Sequence, residues 1–135
     1  MELLNSPQRA DFFRGSCTAS ENIGSLVYIS GPKVGGLVPV RVVDPEDEAK
    51  MPSAGLIIHK FSQTECMVQQ SGPVNGVFTG LEEGKTYKAG TAGVLRRLAP
   101  VAPPGGYAMV QFVGHAVAGD VFHLSPEMRL AKRLP

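Results

Sequence analysis

The chain has 135 residues, 43% of them hydrophobic and 19% charged. That is enough for one domain with its own core, and it excludes a disordered chain. The formal net charge of +1 excludes a general electrostatic pull toward nucleic acid or an acidic membrane, and no run of about 18 apolar residues is present to span a bilayer as a helix.

The N-terminus, Met1 to Pro7, lacks a basic stretch followed by an apolar one, so no signal peptide is expected and first folding is expected in a cytoplasm. Residues 1–16 differ in pattern from the rest of the chain. Leu3, Leu4, Phe12 and Phe13 are large and apolar, Ser6-Pro7 resembles a helix start, and Gly15 ends any helix early. The segment reads as an N-terminal arm with at most a short helix, whose apolar residues need a surface to lie on, the protein's own or a neighbour's; contact with another chain is the expectation. Cys17 and Cys66 are expected to be buried free thiols in a reducing compartment.

From Gly24 onward, short β-branched runs alternate with turns. Leu26 to Ile29 is a predicted strand closed by Ser30-Gly31-Pro32, and Leu37 to Val43 is the next, with Pro39 marking an edge or a bulge. Asp44 to Pro52 has the punctuation of one helical turn: Asp44 to cap, Pro45 to start, Pro52 to stop. Gly55 to Phe61 and Glu65 to Gln70 are predicted strands. A turn is expected at Ser71-Gly72-Pro73, and Val74 to Phe78 continues the sheet. Thr86 to Lys88 and Val94 to Arg96 flank a turn at 90–93. Pro100 to Gly106 is a loop, and Tyr107 to Val113 and Ala116 to Leu124 are the last strands. The 16 glycines and 11 prolines are spread among these runs, as in many short strands joined by tight turns. The fold class is therefore all-β, an antiparallel β-sandwich or small barrel (jelly-roll-like), with an arm over 1–16, a body over 17–126 and a basic tail over 127–135.

The chain carries no coherent catalytic set. His115 and His123 flank a hairpin turn and are expected to face each other, but no C-x-x-C, H-E-x-x-H or H-x-H motif accompanies them, so no metal is expected. No G-x-S-x-G motif is present, and Cys66 sits in an apolar strand where a thiol is inert. The acids of 44–48 and Glu82-Glu83 read as a helix start and a turn. The Gly31 to Gly36 stretch lacks phosphate-loop spacing. No enzyme activity and no cofactor are expected.

Four stretches carry a resemblance. They are Cys17-Thr18-Ala19 with Gly24 to Ile29; Met51-Pro52-Ser53-Ala54-Gly55-Leu56-Ile57; Gly76 to Tyr87 with Gly90 to Leu95; and Val110 to Val117, ending in Leu124-Ser125-Pro126. Together they make residues 17–126 resemble small virion structural proteins of tailed bacteriophages, the capsid decoration, cement or fibre-type β-modules. The third is the most specific, since such modules often carry G-L-T-P-G-x-x-Y followed by G-x-x-G-x-L. Here Glu82-Glu83 replaces the Thr-Pro.

The resemblance implies a structural virion protein assembled in the host cytoplasm. In that role it binds the outer surface of the major capsid protein shell and stabilises it. It would be a homo-oligomer, dimer or trimer, with no membrane and no specific nucleic-acid partner. Leu3, Leu4, Phe12 and Phe13 would be its anchoring residues. The alternative it leaves open is a tail or fibre module that binds a host receptor.

Overall fold

The computed structural model describes residues 11–97, 109–125 and 131–132. The strands are β1 (Asp11–Ser16), β2 (Leu26–Ile29), β3 (Val38–Val42), β4 (Gly55–Ser62), β5 (Glu65–Asn75), β6 (Thr86–Ala89), β7 (Leu95–Arg97), β8 (Met109–Val110), β9 (Phe112–Ala118), β10 (Val121–Leu124) and β11 (Ala131–Lys132). Among the described residues there is no α-helix. The expected helical turn is a single 3-10 turn at Glu48–Lys50, preceded by the Asp44 carboxylate accepting from the Glu46 N–H.

The all-β expectation holds, and its form is a small barrel with a sheet extending from it. The first five strands close in the cyclic order β1-β3-β2-β4-β5. Closure depends on β1, which runs antiparallel to β5 from Asp11↔Ser71 to Ser16↔Glu65 and parallel to β3 at Gly15↔Val38. Strand β5 is long enough to serve two sheets. Its end, Gly72 to Asn75, pairs with β10, and the sheet continues through β9 and β6 to β7.

Period-two alternation explains how the two parts share strands. Val27, Val40, Ile57, Cys66 and Val68 point into the barrel with Cys17 and the half-buried Phe13. Their neighbours Leu26 and Leu56 point the other way, into a second core with Val74, Tyr87, Val113, Phe122 and Leu124. The early residues of β2 and β4, Leu26-Val27 and Leu56-Ile57, are therefore covered on both faces, which is why each strand carries consecutive apolar residues there.

The predicted arm needs correction. Its last six residues, Asp11–Ser16, are the strand that closes the barrel, so the body begins before residue 17. The physical reason is an alternation in the Phe12-Phe13 pair, one ring outward and one inward, together with a close backbone approach at Gly15. A Cβ there would lie 3.1 Å from the Val38 carbonyl oxygen and 3.3 Å from Cys66 Sγ. Leu3 and Leu4 lie outside the described residues. The predicted basic tail also contributes a short strand, since β11 pairs with β8.

The turn expected at Ser71-Gly72-Pro73 is absent, and β5 runs through it. The Gln69 side-chain amide donates to the Ser71 and Pro73 carbonyls, both at 2.9 Å, supplying donors to a stretch where Pro73 has none of its own. The β1–β2 connection is fixed by another polar group. The buried Glu21 carboxylate accepts from the Thr18 N–H and Thr18 hydroxyl, each at 2.7 Å, while Lys60 Nζ donates to the Thr18 and Glu21 carbonyls.

Candidate functional site

Closing the barrel aligns the outward residues of β1, β5 and β4. Arg14 pairs with Met67, and Met67 pairs on its other side with His59, so the three form one row across three strands. Phe61, two residues on from His59, stands edge-on to its ring at 4.7 Å and 77°. The Arg14 guanidinium lies 4.4 Å from the centre of the Phe61 ring, a cation–π contact, and it also forms an ion pair with the Glu65 carboxylate. Phe12 lies on the same outward side as Arg14. Phe12 is 48% and Phe61 44% exposed, although both are large and apolar.

Aromatic residues, Arg and Met are the types enriched at protein–protein interfaces, and Trp, Tyr and Arg lead among residues that dominate binding energy. A rigid sheet holds the set here. Glu65 and Phe61 fix Arg14 from two sides, so little side-chain entropy is left to lose on docking. The surface is suited to bind a protein partner by apolar contact with one directional cation.

A second feature adjoins the start of β1. A cleft of about 560 Å³ is lined by Tyr28, Ile29, Met51, Ala54, Ser71 and Asp11, among others. Its wall at Met51–Ala54 includes a cis Met51-Pro52 bond and is held by buried Gln111, whose side-chain oxygen accepts from the Ser53 N–H at 2.7 Å. Such a volume, mostly apolar, falls in the range of small-ligand pockets.

The other residues singled out by sequence lie apart from this surface. His115 and His123 do face each other, on β9 and β10, as their hairpin position predicts. Among the described residues no group of three His, Cys, Asp or Glu is gathered for a metal ion. The Gly31 to Gly36 stretch ends in a tight turn, with Val34 and Leu37 bridged and Gly35 and Gly36 both at positive φ. Cys17 and Cys66 are buried free thiols. Of the predicted anchors, Phe12 is exposed, and Phe13 instead packs into the barrel.

Burial pushes the Cys66 thiol up to about 12, with Cys17 beside it adding to the rise. It is therefore protonated at neutral pH and is no nucleophile there. Because the folded value lies above the ordinary 9.0, the neutral thiol's contribution to stability is complete below pH 9 and is lost as pH rises from 9 toward 12. Urea melts on either side of pH 9 are expected to show falling stability, less so in Cys66→Ala.

Sequence alone does not single out Phe61, Arg14 and His59 as a site. The signal is an outward aromatic at the end of the Gly55 to Phe61 run, and it acquires meaning only once the register sets β1 beside β5. No protein-family model, curated protein or solved structure matches this chain.

Proposed function

We propose that the chain is a non-catalytic structural protein of a virion, a capsid cement or decoration protein that docks on the outer surface of the major capsid protein shell. The observation that carries the reading is the exposed Phe12, Arg14, Phe61 and His59 surface on the rigid barrel wall. Exposed aromatic side chains beside an arginine on a rigid sheet match the residue types enriched where proteins bind one another. The resemblance of residues 17–126 to small phage virion modules supplies the kind of partner. The cleft beside β1 offers a second contact for the same shell, and copies that meet around a capsid axis would bury more of both.

Copy number tests the reading. Quantitative mass spectrometry of purified particles is expected to find the chain in numbers comparable with the major capsid protein. A few copies per particle would favour the tail or fibre reading, and absence from particles would overturn both.

A further inference from the structure

His115 and His123 are directly opposed across the β9–β10 hairpin, with ring centres 5.4 Å apart and planes inclined at 31°. Nδ1 of His123 is buried and has no hydrogen-bond partner among the described residues. Buried polar atoms are almost always satisfied, so an orphaned one marks a place where a further atom belongs. We propose that the two imidazoles form a two-histidine site for a zinc-class transition-metal ion.

The spacing fits that chemistry. Zinc sits about 2.0–2.1 Å from a ligating nitrogen, with the ring centre about 1.1 Å beyond, so two imidazoles at a tetrahedral angle of about 109° have centres about 5.2 Å apart. The observed separation is 5.4 Å. The histidine χ2 torsion is broad, so each ring turns to present a nitrogen without moving its strand. Both ligands stand on paired strands, and once one binds the ion, the other meets it at high effective concentration.

Neutral nitrogen donors select zinc, copper or nickel over magnesium or calcium, which require oxygen. The cross-strand neighbours of the pair are Thr86 beside His115 and Pro73 beside His123, and neither carries a charge. Two protein ligands are one fewer than an open zinc site holds, so water or a group brought by another molecule would complete the coordination. This inference is independent of the virion reading.

Zinc titration of the full chain in a non-chelating buffer, followed by calorimetry and by the histidine ring resonances in NMR, tests it. One zinc per chain is expected, with shifts at His115 and His123 and not at His59. His115→Ala and His123→Ala are each expected to weaken binding at least ten-fold, and His59→Ala to leave it unchanged. Should an Ala variant fold poorly, the intact chain still decides: zinc raises its melting temperature and magnesium does not. Unchanged binding in a folded His115→Ala or His123→Ala, zinc shifts at His59 alone, or equal stabilisation by magnesium would overturn the proposal.

Discussion

Removing residues 1–16 is expected to abolish cooperative unfolding. The deletion takes away β1 and with it every pairing that closes the barrel, from Asp11↔Ser71 to Ser16↔Glu65 on one side and Gly15↔Val38 on the other. It leaves β3 and β5 with bare edges and removes Phe13 from the barrel interior. A domain of this size holds a net stability of about 5–15 kcal/mol, less than the loss of a central strand. Near-ultraviolet circular dichroism of the truncated chain is expected to show no native signal. Point variants separate the two phenylalanines. Phe13→Ala is expected to cost about 2–4 kcal/mol, whereas the outward Phe12→Ala stays within about 1 kcal/mol of the parent. Equal costs would mean that β1 does not present alternate faces to core and solvent.

Gly114→Ala is expected to destabilise the protein strongly while leaving a melting transition to measure. Gly114 sits within β9 at φ +151°, a conformation that residues with a Cβ rarely adopt. A Cβ there would collide with the His123 carbonyl oxygen and lie 2.9 Å from the Phe122 ring. Neither neighbour can yield. The carbonyl belongs to the β10 backbone, and Phe122 is fully buried in the core between barrel and extension. Strained backbone plus a forced opening of the β9–β10 pair implies a loss of about 3 kcal/mol or more, or a melting temperature lower by about 10 °C. Gly35, also at positive φ but with open space around it, provides the contrast. Gly35→Ala is expected to cost about 1 kcal/mol.

These positions show how far the sequence is legible. The strand Leu26 to Ile29 is readable residue for residue, because β-branched residues bounded by Gly and Pro leave few alternatives. Ser71-Gly72-Pro73 reads as a turn because local propensity favours one. A buried glutamine two residues earlier in chain order overrides it, and no local pattern announces that. Phe12 and Phe13 read as an arm because they stand before the Gly24 turn, far in sequence from their partners. The β1–β5 pairing joins residues about fifty to sixty positions apart, from Ser16↔Glu65 to Asp11↔Ser71, and only tertiary register reveals it.

The same register hides the proposed docking surface. Phe61 and Arg14 are unremarkable singly, and their contact exists only when β1 lies beside β5 and β5 beside β4. The His115 and His123 pairing is legible because a hairpin is local. Their ring spacing is not, since it depends on the two rotamers.

The proposed docking surface is tested most directly by binding to shells. A Phe12→Ala, Phe61→Ala double variant, folded by circular dichroism and thermal melt, is mixed with purified capsid shells stripped of this protein, and bound protein is measured after sedimentation. Two truncated anchor side chains at about 1–2 kcal/mol each predict an affinity lower by a factor on the order of 30 or more. Binding by the folded double variant as tight as that of the parent would contradict the assignment of this face to the shell.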